Sequence, residues 1–153
     1  MPSIFLMQKN TFLNIKNIIL SLFICLCLFS CQSDTATPSI SGKWKLCFYK
    51  FVYSGTTGRE PNNLERSVTV TFSDDGTNGT MDGQMVENDF VAEYTLENGQ
   101  LNVSNLVSTG IDEERWGQKF VEALADAENY TLKRKKLCIY YSNGREYMVL
   151  KKQ

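Results

Sequence analysis

The sequence contains no histidine among its 153 residues. This absence removes the commonest general base, the histidine-assisted serine and cysteine triads, and zinc sites of the usual histidine-bearing kind. A strong charge of one sign is also lacking. Basic residues number 16 against 17 acidic ones, a balance that gives no case for nucleic-acid binding, which shows as a concentrated basic surface. No apolar run is long enough for a membrane-crossing helix: Ile18 to Phe29 is 12 residues, against roughly 20 needed. There is no internal repeat. Cysteine is thin too, with five in all, and a cysteine-only zinc site would need more thiols than the folded part supplies.

What is present begins at the N-terminus. Lys9 and Lys16 precede the apolar stretch, no acidic residue accompanies them, and the run closes on Leu28-Phe29-Ser30-Cys31. A charged start, an apolar middle and a small residue before a cut describe a secretory signal segment. The cysteine directly after the small residue resembles the lipobox of bacterial lipoproteins. That resemblance implies that the Cys31 thiol receives a diacylglycerol and that the chain is cut just before it. Residues 1–30 are then the signal peptide, 31–41 a lipidated tether and 42–153 the folded domain. Gln32, rather than aspartate, after the cysteine resembles lipoproteins sorted to the outer membrane. The expected location is the cell envelope, held to a membrane through the Cys31 lipid. Loss of Lys9 and Lys16 leaves 14 basic against 17 acidic residues. The segment Gln32 to Ser41 (QSDTATPSIS) is small and polar, a composition that cannot pack a core.

From Gly42 onward strand signals dominate. Lys43 to Phe51 alternates lysine with aromatic or aliphatic residues, the period of a half-buried strand. Ser67 to Phe72 (SVTVTF) is β-branched and runs into Asp74-Asp75-Gly76, a turn signal. Asp89 to Leu96 alternates and stops at Asn98-Gly99, a favoured two-residue hairpin turn. Gln100 to Leu106 continues the meander. Tyr130–Leu132, Leu137–Tyr141 and Glu146–Leu150 give three more strands, with Ser142-Asn143-Gly144-Arg145 joining the last two.

One segment departs from this pattern. Between Ile111 and Glu128, Trp116, Phe120, Ala123, Leu124 and Ala127 fall at spacings of three and four, one stripe of an amphipathic helix. Thr109 suits an N-cap, and Asp112, Glu113 and Glu114 suit the positive end of the helix dipole. Gly117, costly in a helix, suggests close packing. A meander, one helix and a closing hairpin predict a mostly β (α+β) fold. The form expected is a small antiparallel sheet or open barrel of about eight strands, capped by one helix in the C-terminal half.

The residues that invite chemistry are few. Cys47 and Cys138 offer either one disulfide across nearly the whole domain or two separate buried thiols; the second is preferred, since a bridge demands close Cα atoms. Lys133-Arg134-Lys135-Lys136 reads as a charged hairpin turn protecting a sheet edge, or more sharply as a contact for lipid phosphates. Tyr53 to Arg66 is polar and glycine-containing, a mobile loop whose Thr57, Arg59 and Asn62 are candidates for binding. The loop Asp74 to Asp82 fails as an EF-hand, with glycine at the third position and Met85 at the twelfth; a solvated hairpin connection is the default. No residue set points to a cofactor or a metal.

Together these residues resemble the META/HslJ-like domain of bacterial envelope proteins, over roughly Ser41 to Lys151. Gly42-Lys43-Trp44 matches its opening strand. Gly79, Gly83, Asn88, Phe90 and Tyr94 match its glycine-rich stretch, asparagine and aromatic strand. Thr109, Glu114 or Gln118, Phe120, Ala123 and Leu124 match its threonine and acidic helix. The chain departs at Val86-Glu87-Asn88, where many members carry a cysteine that pairs with another near the helix; that local bridge is absent here. The family brings no established catalytic site. The expectation is therefore a non-catalytic envelope module, not an enzyme, working through an envelope protein or surface component. The alternative is a lipocalin-like carrier of a small apolar ligand. Aromatic residues at Trp44, Phe48, Phe72, Phe90, Tyr94 and Tyr140, with only Ala92 small, weigh towards a filled interior.

Overall fold

The computed structural model describes residues 39–110 and 112–153. The segment expected to be a signal peptide, and Cys31, lie outside the described residues. Nine strands follow one another: β1 (Gly42–Phe51), β2 (Thr57–Arg59), β3 (Thr69–Asp74), β4 (Asn78–Gln84), β5 (Asp89–Glu97), β6 (Gln100–Ser108), β7 (Ala127–Lys133), β8 (Lys136–Tyr141) and β9 (Glu146–Lys152). The one helix among the described residues is α1 (Arg115–Ala125), between β6 and β7.

Every neighbouring pair is antiparallel, and β1 pairs with both β3 and β9, so eight strands close into a barrel and β2 lies outside it on β1. The open barrel expected from the sequence is thus closed, a solution that removes sheet edges. β1 makes this possible by its length. Its first residues pair with β3, Lys43 opposite Thr71, and its last with β2, Tyr49 opposite Gly58. A register shift between Leu46 and Phe48 keeps Trp44, Leu46 and Tyr49 all buried, the usual effect of one extra residue in a strand.

β4 reads poorly as a strand, since NGTMDGQ holds two glycines and an aspartate. Its glycines are explained across the sheet. Gly79 stands opposite Tyr94 and Gly83 opposite Phe90. A Cβ on Gly83 would lie 2.7 Å from Phe90 Cε1, and one on Gly79 2.6 Å from Ser73 O. The aromatic rings therefore lie on the bare backbone, a device that pins register.

The interior is filled by side chains. Trp44, Phe72, Tyr94, Met81, Leu96 and Leu101 are nearly inaccessible. The helix buries Trp116, Phe120, Ala123 and Leu124, as its spacing predicts, and Gly117 besides, and packs along β6; Ala127, counted in the same stripe, instead begins β7. Phe120 meets Phe90 edge-on with centroids 5.7 Å apart; Trp116 meets Tyr49 at 4.7 Å, and the Tyr49 hydroxyl donates to Trp116 O at 2.9 Å. The barrel has one thin seam, where the register of β6 with β7 is confined to Gln100 opposite Asn129.

Its start differs from the expectation. The N-cap is Glu114, without a side-chain cap bond, and the first turn carries no acidic residue. Thr109 and Glu113 are engaged elsewhere, as described below. The segment 53–66 is also more ordered than a mobile loop: β2 lies within it, Lys50 Nζ bonds Gly55 O and Thr57 Oγ1, and Glu60 pairs with Lys45 at 2.9 Å.

Candidate functional site

Two polar assemblies and one charged hairpin stand out on this scaffold. The first joins the β4–β5 turn to the approach of the helix. In the turn, Met85 N–H donates to Asn88 O at 2.7 Å, which leaves successive backbone N–H groups facing one way. Into this concavity reaches the Glu113 carboxylate. It accepts from Val86 N at 2.9 Å, Glu87 N at 3.1 Å, Asn88 N at 2.9 Å and Asn88 Nδ2 at 3.0 Å. Such nests of consecutive N–H groups bind anions; here the anion belongs to the chain itself. Asn88, 2% exposed, is the hub. Its Oδ1 accepts from Thr109 Oγ1 at 2.8 Å, and that hydroxyl accepts from Asp89 N at 3.2 Å. Gly117 completes the fit, since a Cβ there would come within 2.7 Å of Glu113 Cδ.

The second assembly lies at the opposite end of the barrel, where the chain runs into β1. Asp74 Oδ2 accepts from Ser41 Oγ and Tyr94 Oη, both at 2.9 Å, and Oδ1 accepts from Gly76 N at 3.0 Å. Partial burial raises the Asp74 pKa, but hydrogen bonds from Ser39, Ser41, Tyr94 and Gly76 outweigh it and hold the carboxyl below its ordinary value. Tyr94 moves the other way: burial first, then its bond to Asp74, push its ionisation up. An open recess of about 560 Å³ flanks the pair, lined also by Asp75, Asn78, Thr80 and Glu93. The Asp75 carboxylate is engaged by Thr77 N and Asn78 N at 2.9 and 2.8 Å. The loop is a hairpin connection of the Asx-turn kind. Among the described residues no three metal-ligating side chains converge.

The other residues singled out from the sequence fall as follows. Cys47 and Cys138 are free thiols. They stand on β1 and β8 with β9 between them, roughly 10 Å apart at the usual strand spacing, so the bridge weighed above does not form. Thr57 and Arg59 belong to β2, and Asn62 is exposed in the turn that follows. Lys133 and Lys136 face each other across the β7–β8 hairpin, whose turn is Arg134 (φ 56°) and Lys135. Sequence reasoning missed the role of Glu113 and the Ser41–Asp74–Tyr94 link, which join residues 20 or more positions apart.

The architecture is a small closed antiparallel barrel with, among the described residues, one helix between β6 and β7. A family model described as META domain matches residues 44–153, and the chain belongs to that family. Gly79, Gly83, Asn88, Phe90 and Tyr94, the residues on which the sequence resemblance rested, are the ones that build β4–β5 and the Asn88 hub. Among solved structures, a protein from Burkholderia xenovorans is 19% identical with TM-score 0.58, over 74% of this chain and 82% of that one. A DUF4847 family protein from Bacteroides vulgatus is 16% identical with TM-score 0.56, over 78% and 97%. Both are likenesses of fold. No curated protein matches.

Proposed function

We propose that this chain is a lipid-anchored module of the bacterial cell envelope that works by surface contact rather than by catalysis or cargo carriage. The observation that carries the reading is the filled barrel. Where a carrier keeps a cavity, this interior holds Trp44, Phe72, Tyr94 and Leu96, and Phe120 of the helix presses on Phe90. Ala92 is the single alanine among the buried strand residues. The carboxylates that are shielded from water support the same reading. Glu113 is saturated by backbone donors, Asp74 by hydroxyls, and Glu146 by Lys119 and Tyr141. Each of these three carboxylates is held by the fold rather than left free for acid–base work.

The anchor is supported by the sequence around Cys31. Intact-mass analysis of the protein recovered from its own envelope tests it. The expected mass is that of a chain starting at Cys31 with acyl chains attached, and a Cys31→Ser chain lacks that addition. An N-terminus elsewhere, without acylation, would contradict the reading.

A further inference from the structure

The barrel register assembles a charged row that the sequence scatters. Lys45 of β1 stands directly opposite Lys151 of β9, Lys151 opposite Lys136 of β8, and Lys136 opposite Lys133 of β7. Residues directly opposite share a face, with Cα atoms about 5 Å apart. Four lysines therefore cross four strands in one line on the outer surface, continued by Arg134 and Lys135 in the hairpin turn. Like charges directly opposite are unfavourable in a sheet. Lys45 has Glu60 as partner; among the described residues no carboxylate lies within ion-pair distance of Lys133, Lys136 or Lys151, all of them exposed. A domain with more acidic than basic residues has thus lined up six of its 14 cations on one flank, while Asp75, Asp82 and Glu93 lie around β3–β5.

Beside the lysine row the same face turns apolar. Val149 alternates with the inward Met148 and Leu150, so it points outward, yet it is only 5% exposed and stands apart from the core cluster. Its neighbours across the strands are Phe48 and Cys138. One row further, Tyr140 and Tyr147 face each other with ring centroids 5.2 Å apart. Lysines for phosphates and half-buried tyrosines for the headgroup layer are the two side-chain classes that anionic membrane surfaces attract.

We infer that the outer face of β1–β9–β8–β7 is a docking surface for anionic phospholipid headgroups. The choice of a lipid surface over other polyanions rests on the reading of Cys31 as an anchor. The lysine row lies three residues from Gly42, at the end where the chain enters the barrel. The eight steps from Cys31 to Ser39 reach at most about 28 Å, which keeps the domain within reach of the membrane. The lipid holds the domain there; the lysines set which side it lays down.

Vesicle co-sedimentation tests this with a chain beginning at Gln32, which retains the compact unit Ala36–Gln153 and its core. Binding is expected to vesicles containing 30% phosphatidylglycerol, to be absent from pure phosphatidylcholine, and to fade with added salt. A Lys136→Gln, Lys151→Gln chain should bind on the order of thirtyfold more weakly, with melting temperature unchanged or raised as like-charge contact is relieved. An Arg115→Gln, Arg145→Gln chain of equal net charge should bind like the parent. Equal binding to both vesicle types, equal loss in both double variants, or binding to polyglutamate in place of vesicles would overturn the inference. The anchor is judged separately: this chain has no lipid, and the acyl mass on Cys31 does not depend on the lysine face.

Discussion

At the scale of residues, the fold rests on a few places where one side chain occupies the space another omits. Gly83 receives the Phe90 ring, and its would-be Cβ meets both that ring and the β3 backbone. Gly83→Ala is expected to cost about 1–3 kcal/mol, the usual range for overpacking. Gly110→Ala, with open space around it, should be near neutral; urea denaturation compares them. Gly117 and Glu113 form a second such pair. Glu113→Ala leaves the half-buried Val86 N–H, Asn88 N–H and Asn88 Nδ2 donors without their acceptor, an effect of about 1–3 kcal/mol. Gly117→Ala also destabilises, but in a Glu113→Ala background most of its clash is gone. A double-mutant cycle should show the two changes costing less together than the sum of each alone; strict additivity would break the account of that contact. None of this was legible in the sequence beyond a helix glycine that suggested close packing. Thr109 and the acidic triplet read locally as helix-start signals, whereas the strong donors of the 86–88 turn capture Glu113 and Asn88 captures Thr109 before the helix begins.

Titration belongs to the residue scale as well. The folded-state pKa of Asp74 is depressed, so its contribution is present above the ordinary aspartate value and is lost as pH falls through the folded one. Asp74→Asn should flatten the acid limb of the stability curve below about pH 4. Tyr49, Tyr94 and Tyr141 shift upward, burial being the first cause for each. Their contribution is complete below the ordinary tyrosine value, near 10, and is lost as pH climbs above it. Alkaline melts followed by circular dichroism should therefore show stability falling from about pH 10.

At the scale of elements, alternation and turn chemistry made most strands readable. Asn98 and Gly99 take the positive φ values, 50° and 81°, that their turn requires, and β5 alternates buried and exposed residues along its whole length. The two strands missed are instructive. β4 is a strand because β5 supplies aromatic cover for its glycines, and β2 because β1 is long enough to leave an edge for it. Both causes lie in other elements. The seam between β6 and β7 carries a prediction: beyond Gln100, amides of β6 that point away from β5 have no ladder partner on β7. Hydrogen exchange there should outrun that of β4 and β8 by orders of magnitude, as expected for backbone held by packing alone.

At the scale of the whole molecule, the barrel is a solid support with a sided surface. The helix closes it over Phe90 and Tyr49, and the register sorts lysines to one flank. The sequence showed the hairpin Lys133–Lys136 but not its alignment with Lys151 and Lys45, because that alignment is created by pairing between distant strands. The central claim is that the barrel carries no cargo and acts through its outside. Native mass spectrometry of the protein gently extracted from its own envelope tests this most directly. The account predicts a folded mass equal to the chain from Cys31 with its acyl chains and nothing more. A small apolar molecule retained by the folded domain and released on unfolding would contradict it.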